Sequence, residues 1–74
     1  MSDITIILDP KDNYLESIMI DGAIMGGIED YNVEGNSCYG PILTLEQSVL
    51  DRGFYLRSSR EYIIDSLIIK KKES

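Results

Sequence analysis

The sequence predicts a mainly β domain: a small, predominantly antiparallel sheet of five or six strands, stacked as a sandwich or rolled into a barrel. It leaves room for one short helix in the C-terminal half. Three observations carry this expectation. β-Branched residues recur at period two from the first segment onward. Turn chemistry such as Asp21-Gly22 interrupts them at short intervals. A chain of 74 residues has the length for one core only, burying roughly 60% of the surface its unfolded form exposes.

Asp3 to Leu8 alternates, with Ile4, Ile6 and Leu8 on one side and Thr5 and Ile7 on the other, and reads as a strand. Asp9-Pro10-Lys11-Asp12-Asn13 follows as a turn, because Pro10 presets φ and the Asp and Asn side chains bond nearby backbone. Tyr14 to Ile20 is the returning strand of a hairpin. Asp21-Gly22 is the strongest hairpin signal in the chain. Ala23-Ile24-Met25 comes next, then Gly26-Gly27, then Ile28 to Glu34 as a strand with one wet face. Gly35 to Pro41, punctuated by Gly and Pro and carrying Cys38 and Tyr39, reads as a loop.

The second half admits two readings. Ile42 to Leu45 suits a strand, yet Thr44-Leu45-Glu46-Gln47 also fits a helix-capping box, with Gly53 as a stop. A short strand running into one helical turn that ends at Asp51-Arg52-Gly53 reconciles them. Phe54 to Arg57 is strand-like. Ser58 to Lys72 fits a capped helix with a stripe of Ile63, Ile64, Leu67 and Ile68, and it fits an alternating strand equally in period. Its isoleucines lose χ1 freedom in a helix and favour the strand. The single domain is expected over residues 1–69, with 70–74 as a basic, frayed tail.

The net charge of −6 conceals two blocks. Residues 1–51 hold ten acids and one base, a balance of −9, while residues 52–74 hold six bases and three acids, a balance of +3. An acidic surface disfavours nucleic acid or an anionic membrane as partner and favours a basic protein surface. The apolar runs are far shorter than the about 20 residues that cross a bilayer, and the acidic opening Met1-Ser2-Asp3 predicts no secretory leader.

Candidate chemistry is sparse. With 0 His and one Cys, Cys38 has no imidazole base to activate it, and structural zinc lacks ligands. Asp9, Asp12, Asn13 and Glu16 crowd one turn but miss the spacing of a calcium loop. The glycines of Gly22 to Gly27 lack the order of a phosphate-binding loop. The expectation is therefore no enzyme, no catalytic residue, no cofactor and no metal. Arg52, Arg57 and Arg60 near Tyr55 and Tyr62 could form a basic aromatic patch for single-stranded nucleic acid. Intramolecular ion pairs account for them as well.

The stretches ITIILD (residues 4–9), ESIMIDGAIMGGIEDYNVE (16–34) and PILTLE (41–46) resemble small uncharacterised β-rich phage and prophage proteins of Gram-positive bacteria. The resemblance covers the first 46 residues and implies a compact β fold, a viral protein made in the cytoplasm of a bacterial host, and no site residue to carry over. By association of origin, it implies an inhibitor that occludes a host enzyme or defence component.

Together these readings point to a non-enzymatic phage-type binding protein. Its acidic, Tyr-containing surface would occlude a basic site on a host defence or nucleic-acid-handling protein. Glu29, Asp30, Tyr31, Glu34 and Tyr39 are the expected contact residues, because they lie on or beside one strand and the longest loop. Two alternatives stay open. One is a structural or virion accessory protein that oligomerises by sheet-edge pairing. The other is a single-strand binder using the Arg-rich C-terminal part.

Overall fold

The computed structural model describes residues 1–38 and 40–73, with Asn36 and Ser37 described by their backbone. Six strands follow one another: β1 (Ser2–Leu8), β2 (Leu15–Ile20), β3 (Ala23–Met25), β4 (Ile28–Ser37), β5 (Gly40–Asp51) and β6 (Phe54–Lys71). They form one sheet in the order β3-β2-β1-β6-β5-β4. The fold is mainly β, as its periodicity predicts, and the sheet does not close into a barrel. Among the described residues there is no helix, and so none long and apolar enough to cross a membrane.

Two turns follow directly from local chemistry. Ile20 pairs with Ala23 across Asp21-Gly22, and Asp51 pairs with Phe54 across Arg52-Gly53. In both, the two central residues have positive φ, 51° and 85° at the first turn and 51° and 84° at the second. That is the two-residue turn whose twist matches the flanking strands.

The second of these turns corrects the expected helix. Thr44 to Gln47 does not cap a helical turn; β5 runs on to Asp51 and returns as β6. Leu43 and Leu45 are both fully buried, and only a period-two backbone sends those two side chains to the same side. Gly35 to Pro41 is likewise tighter than a loop, since β4 extends to Ser37 and β5 resumes at Gly40.

β6 is the spine of the molecule. Its first part, through Ile63, pairs antiparallel with β5. Its second part, from Ile64, pairs parallel with β1. Among the described strands it is the one parallel pairing in a sheet that is otherwise antiparallel, in keeping with the predominantly antiparallel sheet expected. The hand-over includes a register shift, with Ser2 opposite Ile64 and Asp3 opposite Ser66. Asp3 secures it. Its carboxylate accepts the Ser66 hydroxyl at 2.8 Å, and its N–H donates to Asp21 Oδ1 at 2.9 Å. Lys70 and Lys71 do not fray, because β1 offers them a ladder. Lys72 then donates its backbone N–H to the Leu8 carbonyl at 2.8 Å.

Ile4 and Ile6 of β1, Ile18 and Ile20 of β2, Leu43 and Leu45 of β5, and Ile64 of β6 make one buried cluster. Strands on both sides of β6 contribute, so the sheet must bend to bring β1 and β2 over β5. Leu15, Met25, Ile28, Tyr31 and Tyr62 pack around this cluster.

Candidate protein-binding face

The face of β4, β5 and β6 that points away from the core gathers carboxylates from all three strands. Pairing sets its membership, because residues opposite each other in a ladder share a face. Asp30 lies opposite Glu46 and Asn32 opposite Thr44, with Glu34 opposite Ile42. On the other side of β5, Thr44 lies opposite Glu61, Glu46 opposite Ser59 and Ser48 opposite Arg57. Asp30, Glu34, Glu46 and Glu61 therefore surround Thr44 on three adjacent strands. Asp30, Glu34 and Glu46 also line one open concavity of about 230 Å³, together with Tyr31, Asn32 and Thr44.

Local bonds orient this surface. Asn32 donates its side-chain amide to Glu34 Oε1 at 3.3 Å, and Asp30 Oδ1 accepts the Tyr31 N–H at 2.8 Å. Arg57 approaches Glu46 to 3.7 Å, with both side chains largely exposed. An ion pair so exposed contributes little to stability. Among the described residues Asp30, Glu34 and Glu61 make no ion pair, so this face is net negative.

The expected contact residues divide. Asp30 and Glu34 lie on the acidic face. Glu29 is the extra residue of a bulge, between Ile28 opposite Gln47 and Asp30 opposite Glu46. Tyr31 is opposite Leu45 on the other face, half-buried against the core, where it serves packing. Tyr39 lies outside the described residues. Glu46 and Glu61 were missed because Glu46 read as part of a helix cap. Period two applied from Ile42 to Asp51 would have placed Thr44 and Glu46 together.

The basic set does not assemble into a patch. Arg57 faces the acidic side beside Glu46, Arg60 is opposite Leu45 on the other side, and Arg52 occupies the turn. The crowded turn of Asp9 to Glu16 uses its carboxylates locally: Asp9 Oδ1 accepts the Lys11 N–H and Asp12 Oδ1 the Tyr14 N–H. Glu16 pairs with Lys72 at 3.0 Å. Cys38 is an exposed free thiol. Searches for similar proteins found no matching protein-family model, no matching curated protein and no matching solved structure.

Proposed function

We propose that this chain is a non-enzymatic binding protein whose acidic β4–β5–β6 face receives a basic surface of another protein. The observation that supports it is the gathering of Asp30, Glu34, Glu46 and Glu61 on one face of three neighbouring strands. Like charges this close on a sheet repel one another, and a basic partner relieves that repulsion. The same field steers a cationic partner during encounter. In this reading the protein acts in the cytoplasm of a bacterial host as a phage-encoded inhibitor. It covers the site where a defence or nucleic-acid-handling protein would meet phosphate.

The experiment uses the full chain, immobilised, against bacterial lysate, beside a variant carrying Asp30→Asn, Glu34→Gln, Glu46→Gln and Glu61→Gln. A basic protein retained by the original chain, lost from the variant and released by salt is the expected result. Retention that ignores both the substitutions and the salt sinks the proposal. The single-strand reading loses support from the separation of Arg57 and Arg60 onto opposite faces.

A further inference from the structure

An open sheet has two edges, and here they are unequal. The outermost strands are β3, with three residues, and β4, with ten. A short edge offers little to pair with, whereas a long one presents a row of unpaired backbone groups. The regular part of β4 runs from Asp30 to Glu34, between register shifts at Ile28/Asp30 and Glu34/Ser37. Two bonds fix which of its backbone groups point outward. Tyr31 donates its N–H to Oδ1 of the neighbouring Asp30 at 2.8 Å, which turns that N–H away from β5. Ser48 donates its N–H to the Gly27 carbonyl, so Ile28 and Gln47 are a pair that exchanges no ladder bond. Counting on past the bulge, Tyr31 opposite Leu45 and Val33 opposite Leu43 are pairs of the same kind. Val33 therefore directs its N–H and carbonyl outward, and among the described residues nothing outside the ladder takes them.

The side chains beside this edge specify what it accepts. Asp30, Asn32 and Glu34 stand on the acidic face, next to Glu46, while Tyr31 and Val33 stand on the other. Val33 is 36% exposed. An added strand sends its own side chains alternately to these two faces. On one they meet carboxylates, and on the other they meet Tyr31 and Val33. Basic residues alternating with apolar ones complement both. A second copy of β4 does not. Paired antiparallel about Asn32, two copies would set Asp30 opposite Glu34 twice, and like charges directly opposite are destabilising.

We propose that the partner contributes an extended segment of about five residues, basic alternating with apolar, which joins the sheet along β4 over Asp30 to Glu34. Backbone bonds to Val33 supply affinity, and the acidic row selects the sequence. Asp30 gives up the Tyr31 N–H to the new ladder and turns to the arriving cation. This mode of contact rests on the reading that the acidic face receives a basic protein, and it names the part of the partner that arrives.

The test uses the full chain at low salt and three capped hexapeptides. One is Lys-Val-Lys-Val-Lys-Val, the second has proline at every valine, and the third has glutamate at every lysine. The residues that exchange bonds with Val33 are those directly opposite it, which are the valines, so proline there removes the donors facing β4 and keeps the charge. The first peptide is expected to bind at least roughly tenfold more tightly than either other, and to slow hydrogen exchange at the Val33 amide. Val33→Pro removes an N–H that makes no ladder bond, a change an edge strand tolerates. It should weaken the first peptide by a similar factor with an unchanged circular dichroism spectrum. Equal binding of the lysine–valine and lysine–proline peptides, or Val33 exchange untouched by bound peptide, overturns strand addition and leaves the acidic face as a charged surface. Equal binding of the lysine and glutamate peptides overturns the basic partner, and with it the function proposed above. No binding of any peptide at millimolar concentration overturns the segment. Slow Val33 exchange before any peptide is added, in a chain that light scattering shows to be dimeric, overturns it in favour of a second copy.

Discussion

Ser48 donates its backbone N–H to the carbonyl oxygen of Gly27 at 2.7 Å, and Gly27 lies so close to the Ser48 carbonyl that any β-carbon there would overlap it. Gln47 adds a bond from its side-chain amide to the Gly26 carbonyl at 2.9 Å. The Gly26-Gly27 link thus clips the start of β4 to the middle of β5.

Gly27→Ala is therefore expected to be strongly destabilising. The position combines the overlap with a φ of 66°, which L side chains rarely adopt. The loss should be about 2–4 kcal/mol, read as a fall of ten degrees or more in Tm. Gly26→Ala meets no atom within 4 Å and is the control, changing Tm by only a few degrees.

Arg52→Asn should stabilise the chain. Arg52 sits at φ 51° in the β5–β6 turn, a conformation that Asn tolerates better and that Asn-Gly turns favour. A gain of about 0.5–1 kcal/mol is expected, measured as a higher urea midpoint at constant slope. A lower midpoint would contradict the turn assignment.

Tyr62→Phe tests a different kind of strain. The Tyr62 hydroxyl is buried with no hydrogen-bond partner among the described residues, while its ring packs on the core. Removing an unsatisfied hydroxyl should leave stability unchanged or raise it by up to ~1 kcal/mol. Leu45→Ala, at a fully buried site, should instead cost about 2–5 kcal/mol. Equal losses from the two substitutions would show that the hydroxyl is bonded.

Lys72→Ala should matter little. Its ammonium pairs with Glu16 at 3.0 Å, but both side chains are more than a third exposed, so the ion pair contributes under ~0.5 kcal/mol. The Lys72 backbone N–H, bonded to Leu8, survives the substitution. Hydrogen exchange at that amide should remain as slow in the variant as in the original chain.

Much of the fold is readable from the chain itself. Ile4 and Ile6, or Ile18 and Ile20, bury themselves at period two, and Asp21-Gly22 turns the chain where its chemistry says it should. The C-terminal strand was decided by the same stiffness of β-branched residues that argued against a helix. What local patterns missed was the stretch from Thr44 to Asp51. There a capping-box match competed with a strand, and the demand that Leu43 and Leu45 both reach the core won. Half of the acidic face was hidden by that competition, because Glu46 and Glu61 join Asp30 and Glu34 only when β5 is a strand.

The sequence by itself determined the strands of the first half, the Asp21-Gly22 turn, the acidity and the lack of imidazole chemistry, because each depends on residues within a few positions of one another. Only the tertiary structure decided that β6 leaves β5 to run parallel beside β1. It also decided which carboxylates share a face. These depend on the register between segments as distant as Ser2 and Ile64. Such a register is chosen by the whole set of apolar side chains competing for one small core.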